Sequence, residues 1–286
     1  MNKKYSIPEF IKYLNIDSSK NEDIHIVWYD NQSEIRLQSK PINIDFYLLA
    51  IKLDFDKNLD FGQTGFDKAD SYLYFDSPDK TLEWDLKQSM SGYNILISKR
   101  LFTKYAKDYN FMHYKNHEAL FVTKEEEGVL LDLFQKAYTE YNQENFSKEI
   151  LLSYSTLILS YINTFYKRQF DTRGKLYNKI VSDFYKHLED YYDHHKDITK
   201  LPSVAFFADK SNLSSNYFGD VIKHFTGNSP QEHIHQHVLQ IAKNKLRQSE
   251  LTISEIAYSL GFEYPTYFTR FFRKETGITP SVFRDQ

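Results

Sequence analysis

Hydrophobic and polar residues alternate along much of the first half of the chain, with the period of two that is typical of a half-buried β-strand. The clearest run consists of Ile42, Ile44, Phe46 and Leu48. After Leu48 the hydrophobic positions move by one residue, which predicts a bulge or bend in this strand. Shorter strands are predicted at residues 24–29, 71–75 and 93–97. Short strands at regular spacing, with turn-forming residues between them, indicate an antiparallel barrel or sandwich.

Beyond Lys124 the hydrophobic residues recur every three or four positions, which predicts helices. A break near residues 142–147 divides them into two helices, and we expect these to form an antiparallel pair. The second helix is hydrophobic over a wide arc that includes Leu157 and Tyr166, so something must cover it. Two interpretations remain open: packing against the β-region alone, and a homodimer interface.

A polar segment containing a glycine separates this region from a second one that is helical throughout. Residues 169–175 read QFDTRGK, and we interpret them as a linker. The predicted domains on either side are residues 1–168 and 176–286. The length of the chain, 286 residues, suits two domains of ~150 residues each.

An internal repeat occupies the helical region, with an offset of 50 residues and no gaps. Residues 216–230 read NYFGDVIKHFTGNSP, and residues 266–280 read TYFTRFFRKETGITP. The Tyr-Phe pair, the Thr-Gly pair and the final proline coincide in the two copies. A pattern of this length that occurs twice predicts a duplicated structural unit.

The second copy has the sequence features of a helix, a turn and a second helix. Thr252 and Glu255 have the spacing of a capping box at a helix start. Gly261 suits the left-handed turn that ends this helix, and Pro265 suits the first position of the next one. Gly277 then ends the second helix, and residues 279–283 begin a closing helix.

The first copy follows the same plan with different residues. Ser203 is predicted to cap a helix over residues 204–210, and Asn212 takes the place of the turn glycine. Ser214 is predicted to cap the second helix, whose hydrophobic residues recur with helical spacing. Each copy is therefore interpreted as a helix-turn-helix unit.

The exposed face of the second helix indicates the function of the repeat. In the second copy this face lies opposite the aromatic residues and carries Thr266, Thr269, Arg270 and Arg273. Short side chains near the helix start and cations further along suit a helix inserted into the DNA major groove, where arginine contacts guanine or phosphate. The alternative is the solvated face of an ordinary helix bundle, and the duplication favours DNA binding over it.

The segment between the two copies is predicted to be one continuous helix over residues 230–248. About 19 residues at ~1.5 Å each span ~28 Å. Successive major-groove faces of a duplex lie ~34 Å apart. A rigid connector of this length can therefore place both second helices on one side of the DNA.

This region resembles the DNA-binding domain of the AraC/XylS family of bacterial transcription regulators. The resemblance covers about residues 176–286 and is most specific over residues 256–284, which read IAYSLGFEYPTYFTRFFRKETGITPSVFR. It implies two helix-turn-helix subdomains, asymmetric target sites in double-stranded DNA, and control of transcription, usually activation. It also implies RNA polymerase as a partner.

The resemblance implies two reading helices, which are helices that contact DNA bases. The DNA-binding residues are predicted to be Ser215, Asn216, Asp220, Lys223, Thr266, Thr269, Arg270 and Arg273. One departure concerns Asp220, because the family often has a basic residue where this acid stands. Asp220 can accept a hydrogen bond from a cytosine amino group, cap a helix end or stay away from the DNA. Because Gly219 offers no side chain either, we expect the first unit to read less sequence than the second.

The N-terminal half resembles, in its architecture alone, the cupin-like sensory domain found in this family. The predicted fold class is therefore α+β, with an N-terminal cupin-like antiparallel β-barrel and a helix pair, followed by an all-α domain. That second domain contains two helix-turn-helix subdomains joined by a linker helix. The resemblance implies a small-molecule effector in the barrel and dimerisation through the helices. Tyrosines at positions 47, 72, 74 and 93 either line such a pocket or are ordinary core or surface residues, which we favour for most of them.

Composition and charge narrow the function without deciding it. The chain has no cysteine, so disulfides and thiolate metal sites are excluded. The N-terminus is polar and lacks the hydrophobic core of a signal peptide, so we expect a cytoplasmic protein with no membrane partner. The net charge is −3, but residues 173–286 contain 15 basic and 13 acidic residues. This weak excess predicts modest affinity for non-specific DNA.

Two other function classes, an enzyme and a DNA-binding architectural protein, make different demands on the sequence. An enzyme of the cupin type needs clustered histidines and a glutamate, whereas His25, His113 and His117 form no such motif. We therefore expect no catalytic residues, no metal and no cofactor. His233 and His237 have the i, i+4 spacing that can hold a metal, but we favour a solvated helix face or a phosphate-facing contact. The other class is a DNA-binding architectural protein without an effector.

Overall fold

The computed structural model describes residues 4–16, 19–32, 34–53, 62–67, 71–78, 80–86, 91–105, 107–193 and 198–285. The chain divides into two compact units, Met1–Arg173 and Gly174–Gln286, which we call unit 1 and unit 2. Unit 1 contains strands and helices, and the described part of unit 2 contains helices only. The chain is therefore an α+β protein with its β-structure at the N-terminal end.

Unit 1 contains eight described strands. They are β1 (Lys4–Tyr5), β2 (Ile24–Trp28), β3 (Ile42–Ile44), β4 (Phe46–Lys52), β5 (Tyr72–Asp76), β6 (Thr81–Leu82), β7 (Gly92–Ser98) and β8 (Leu120–Phe121). Five of them form a sheet in the order β2-β7-β4-β5-β8, and the other three form a small sheet in the order β1-β3-β6. The larger sheet is antiparallel throughout, whereas β1 pairs with β3 in parallel.

The helices of unit 1 are α1 (Ile7–Tyr13), α2 (Lys99–Tyr105), α3 (Lys124–Tyr141) and α4 (Lys148–Thr172). The helix pair predicted after Lys124 is confirmed. Thr123 caps α3 through a capping box with Glu126, and Ser147 caps α4 by accepting a hydrogen bond from the amide of Ile150. These caps satisfy amide groups that have no partner within the helix.

Strand β4 lies in the middle of the larger sheet and is buried on both faces. Its residues Phe46, Leu48 and Ala50 pack into a core with α1 and residues of the small sheet. The alternate residues face the helices; Tyr47, for example, stacks on Phe102 with ring centres 4.0 Å apart. Because both faces of β4 are buried, hydrophobic residues occur at even-numbered and odd-numbered positions alike, which explains the apparent shift after Leu48.

No bulge or bend interrupts β4 after Leu48, where one was predicted. The register runs without interruption from Phe46 opposite Ser98 to Lys52 opposite Gly92. The chain instead leaves the strand conformation at Asp45, between β3 and β4. The sequence pattern that indicated a bulge reflects a central strand with hydrophobic residues on both sides.

The two sheets and the helices make unit 1 a layered structure. In the described residues no strand pairing joins β2 to β8, so the larger sheet is open. The tyrosines considered as pocket residues have different surroundings. Tyr72 is buried against Phe121, while Tyr93 is paired with Trp28 on the face covered by α3.

The linker predicted at residues 169–175 differs from the structure. Helix α4 continues to Thr172, and the side chain of Gln169 is fully buried. Its amide oxygen accepts a hydrogen bond from the backbone of Phe121, and Arg173 forms a buried ion pair with Asp67 at 2.7 Å. The polar residues Gln169 and Arg173, which suggested a linker, are thus buried with hydrogen-bonding partners. Unit 1 ends at Arg173.

Unit 2 consists of seven helices in its described part. They are α5 (Gly174–Asp193), α6 (Val204–Lys210), α7 (Ser215–Thr226), α8 (Pro230–Gln248), α9 (Ile253–Ser259), α10 (Pro265–Thr276) and α11 (Pro280–Arg284). One hydrophobic core runs through all of them. The ring of Phe184 in α5 meets Phe218 in α7 edge to face, with centres 5.6 Å apart.

Candidate nucleic-acid interface

Helices α6 and α7 form the first helix-turn-helix unit. Ser203 caps α6, and Ser214 caps α7 by accepting a hydrogen bond from the amide of Tyr217. Asn212 lies between the helices with a φ of 54°, a left-handed conformation that asparagine tolerates better than most residues. The caps and turn predicted for the first copy are confirmed.

Helices α9 and α10 form the second unit. Thr252 and Glu255 make the predicted capping box, with the Thr252 amide 2.7 Å from the Glu255 carboxylate. Gly261 has a φ of 87°, and a Cβ atom at this position would lie 2.4 Å from the carbonyl carbon of Lys200. The turn therefore requires glycine for its conformation and for the close approach of the chain.

The two predicted reading helices, α7 and α10, end in the same way. Gly227 and Gly277 both have a φ of 83°. The hydroxyls of Thr226 and Thr276 donate to carbonyls just beyond the helix, at 3.0 and 3.1 Å. The repeated Thr-Gly pair thus gives both helices the same C-terminal geometry, as the sequence repeat predicted.

The predicted DNA-binding residues of α10 lie on its accessible side. Thr266, Arg270 and Arg273 are exposed, and Thr269 is half-buried with its hydroxyl donating to the carbonyl of Pro265 at 3.1 Å. The opposite side carries Phe268 and Phe272, which are completely buried. The helix therefore presents a polar and cationic face on a rigid hydrophobic base.

The corresponding residues of α7 are less accessible and less positive. Ser215 and Lys223 are exposed, whereas Asn216 and Asp220 are half-buried. Lys223 lies close enough to Glu232 to help lower the pKa of that carboxyl, which is held down mainly by a hydrogen bond from the Ser229 amide. The positive charge of Lys223 is thus partly offset, and the first reading face is electrostatically weaker than the second.

A pair of exposed tyrosines lies beside the polar face of α10, and neither was among the DNA-binding residues predicted from the sequence. Tyr264 and Tyr267 are each 50% exposed, with ring centres 5.4 Å apart. The guanidinium of Arg270 lies 5.9 Å from the centre of the Tyr267 ring. The equivalent residue of the first copy, Tyr217, is only 1% exposed. Tyr217 and Tyr267 occupy the same position of the repeat, so the sequence does not indicate that their exposure differs.

The connector helix α8 spans the residues predicted for it, Pro230–Gln248. Ser229 and Glu232 form a capping box at its start, and its buried stripe consists of Ile234, Val238, Ala242 and Leu246. This stripe belongs to the core shared by both units of the repeat. The connector therefore fixes the two reading helices to one hydrophobic body.

The histidines of the connector have protein partners. The Nε2 atom of His233 lies 2.8 Å from the hydroxyl of Thr226, and the Nδ1 atom of His235 lies 3.7 Å from the carboxylate of Glu275. In the described part of the chain, no group of three or more histidine and acidic residues could hold a metal ion. There too, no helix is long and hydrophobic enough to cross a membrane.

Comparisons with known proteins agree with this architecture. A helix-turn-helix domain family matches residues 207–286. The probable transcription factor PqrA of Proteus vulgaris is 30% identical over 106 residues, which are 37% of this chain and 84% of PqrA. The chain belongs to the AraC/XylS family of transcription regulators.

Two further relatives are matched over a smaller share of their own length. The transcriptional activator RhaR of Cronobacter sakazakii is 35% identical over 83 residues, which are 29% of each chain. The uncharacterised regulator YobQ of Bacillus subtilis is 30% identical over 91 residues, which are 32% of this chain and 38% of YobQ. The match thus spans about a third of the length of these two relatives. An AraC/XylS regulator acts by binding DNA, in agreement with the non-enzymatic function expected.

Proposed function

We propose that this AraC/XylS protein is a sequence-specific regulator of transcription, acting as an activator in the cytoplasm. Its reading helices α7 and α10 would enter two adjacent major-groove segments of one duplex. We assign base and phosphate contacts to the eight predicted residues on these helices. RNA polymerase would be the partner through which bound protein activates transcription.

The observation that carries this proposal is the pair of polar faces on duplicated helices sharing one core. Arg270 and Arg273 are exposed on α10, and Lys223 is exposed on α7. The connector α8 has 19 residues, which corresponds to ~28 Å of helix. This length is close to the ~34 Å between successive major-groove faces.

We assign a sensory role to unit 1. Its two sheets and its helices support a cupin-like domain, with an open larger sheet, that binds a small-molecule effector. A layered β-structure with both faces of its central strand buried provides a rigid frame for such a ligand. In this scheme the effector would change the affinity of the protein for DNA or for RNA polymerase.

A homodimer formed through α4 is part of the proposal. Ile150 and Leu157 are 45% and 44% exposed, and Tyr154, Tyr161 and Phe165 are partly exposed on the same side of the helix. Their spacing of three or four residues makes a continuous hydrophobic stripe. Packing within unit 1 leaves this stripe accessible, which favours the second of the two interpretations of the helix.

Sedimentation at micromolar concentration tests the dimer. The variant Leu157→Glu places a charge in the stripe and is expected to sediment as a monomer. Lys167→Glu changes an exposed residue of α4 away from the stripe and should leave the dimer intact. A wild-type monomer, or a dimer that tolerates Leu157→Glu, would contradict this interface.

Selection of binding sites from random duplex DNA tests the central proposal. The expected result is a bipartite site with two conserved segments about one helical turn apart. Specific affinity should exceed non-specific affinity by ~10³-fold or more at physiological salt. Binding without sequence preference would instead support an architectural protein and reject the regulator.

A further inference from the structure

Unit 1 contains a cleft that the proposed DNA interface does not use. It lies between the outer face of the larger sheet and α3, and its volume is about 530 Å³. Its walls include Trp28, Asp30, Tyr93, Asp132 and Gln135, together with two leucines. The cleft combines hydrophobic rings with carboxylates, which is a chemistry that selects ligands by charge as well as by shape.

One wall of the cleft is built from stacked aromatic rings. Trp28 and Tyr93 are directly opposite each other in the pairing of β2 with β7, so both side chains emerge on the same face of the sheet. Their rings are nearly parallel, at 12°, with centres 6.0 Å apart. Tyr138 of α3 meets both rings edge on, at 5.8 and 6.0 Å. The hydroxyl of Tyr93 donates to Gln135, which holds this wall in place.

A carboxylate is held in position beside this wall. Asp30 accepts a hydrogen bond from the Ser91 hydroxyl at 2.7 Å and another from the Gly92 amide at 3.0 Å. Burial tends to raise the pKa of Asp30, but these hydrogen bonds outweigh it and the pKa is lowered overall. The side chain is therefore a carboxylate at neutral pH, and its orientation is set by the start of β7.

The basic groups near the cleft make no ion pair with Asp30 among the described residues. Lys136 is bound to the second carboxylate, Asp132, at 2.6 Å. Lys52 lies opposite Gly92 in the register of β4 and β7, so it belongs to the other face of the sheet from Tyr93. Its amine is buried 3.6 Å from the centre of the Tyr29 ring. Burial lowers its pKa well below the ordinary value, and the nearby charge of Asp30 opposes this shift only in part. No lysine or arginine is among the described residues that line the cleft.

We propose that this cleft binds a small organic ammonium ion, whose positive charge lies against Asp30 and the Trp28–Tyr93 wall. A cation over an aromatic face gains electrostatic attraction, and the Asp30 carboxylate held beside the rings adds a charge-assisted hydrogen bond. Hydrophobic substituents of the ligand would contact the leucines. The cleft is on the helix-covered face of the sheet, so it is separate from the space between the two sheets. Only the ligand's regulatory role rests on the proposed function; binding itself does not.

The two tryptophans of the chain make a direct assay available. Trp84 packs against Phe10 and Tyr13 away from the cleft, so Trp84→Phe leaves Trp28 as the single fluorescent reporter. Benzylamine, benzyl alcohol and benzoate are then titrated into the full chain, since they match in shape and differ in charge. We expect a saturable change in Trp28 fluorescence with benzylamine, at least tenfold tighter than with the alcohol and absent with benzoate.

Two variants test which carboxylate of the cleft binds the ammonium group. Asp30→Asn should weaken benzylamine binding at least tenfold. Asp132→Asn, at an exposed position, should weaken it at least threefold because Lys136 loses its partner. Asp108→Asn, which removes a carboxylate that is 79% exposed and outside the cleft, is the matched control and should bind as before.

The result that overturns the proposal is an equal response to the three compounds, or benzylamine affinity that neither cleft variant changes. DNA is absent from this assay, so its outcome is independent of the proposed function. Loss of ammonium binding with sequence-specific DNA binding intact would reject the cleft alone. Ammonium binding by a protein that ignores DNA sequence would reject the regulator alone.

Discussion

The hydroxyl of Tyr217 is hydrogen-bonded to the hydroxyl of Tyr177, and both side chains are buried. Tyr177 lies in α5, which packs on the first reading helix. The equivalent of Tyr217 in the second helix-turn-helix, Tyr267, is half exposed. The same sequence position therefore belongs to the core in one copy and to the exposed surface in the other.

This difference predicts unequal effects of removing one hydroxyl. Tyr217→Phe should lower the free energy of unfolding of unit 2 by ~1 kcal/mol, because a hydrogen bond between buried groups is lost. Tyr267→Phe should change it by less than ~0.5 kcal/mol, as expected at an exposed position. Urea unfolding followed by far-ultraviolet circular dichroism measures both. Because both tryptophans lie in unit 1, their fluorescence serves as the control transition. Equal losses in the two variants would contradict the assigned environments.

The asymmetry of the two reading faces predicts a ranking in DNA binding. Arg270→Ala should reduce affinity for the selected site at least tenfold, since an exposed arginine that contacts a guanine contributes ~1–3 kcal/mol. Asp220→Ala should have a smaller effect, because this half-buried acid cannot contact phosphate favourably. Mobility-shift titrations at one salt concentration compare them. Lys179→Ala is the control, since it removes an exposed cation of α5 that is paired with Asp183. The reverse ranking of the two variants would show that the first helix-turn-helix, α6 and α7, dominates DNA recognition.

The helix-turn-helix units were predictable from the sequence because their signals are local. Caps such as Ser214 and Thr252, and the left-handed Gly261, act within a few residues of their own positions. The environment of Tyr217 depends on Tyr177, which is 40 residues away, and no local pattern contains that contact. Local rules thus define the units of the repeat, and tertiary contacts make the two units differ.

Unit 1 was predicted less well for the same reason. The small sheet pairs strands of two and three residues that are far apart in the chain, which is too short for any period to be recognised. The polar residues Gln169 and Arg173 were interpreted as a linker because a sequence does not show whether a polar group is buried with a partner. The Trp28–Tyr93 wall also depends on a pairing between distant strands.

The turn glycines provide a comparison of two causes of strain. Gly277→Ala should cost unit 2 ~1 kcal/mol, because its left-handed φ of 83° is unfavourable but its surroundings are open. Gly261→Ala should cost about 3 kcal/mol, since the new Cβ would also overlap the backbone of Lys200. Urea unfolding followed by circular dichroism gives both values. Equal costs would mean that the chain near Lys200 moves away without resistance.

Buried His25 predicts how the stability of unit 1 depends on pH. Its Nδ1 atom lies 2.7 Å from the Tyr141 hydroxyl, and burial is the main cause that lowers its pKa from 6.5 to about 4. The unfolded chain therefore takes up a proton first as the pH falls, so stability is lost between pH 6.5 and pH 4. From pH 7 to pH 5 the loss from this histidine should be about 2 kcal/mol.

Urea unfolding followed by tryptophan fluorescence measures this dependence, because both tryptophans report on unit 1. His25→Gln should be less stable than the wild type at pH 7 and should lose little further stability down to pH 5. His113→Gln is the control, since the His113 side chain is 50% exposed and pairs with Asp108 at the surface. It should keep the wild-type slope. A slope that persists in His25→Gln would place the titrating group elsewhere in unit 1 and contradict the assignment to this buried imidazole.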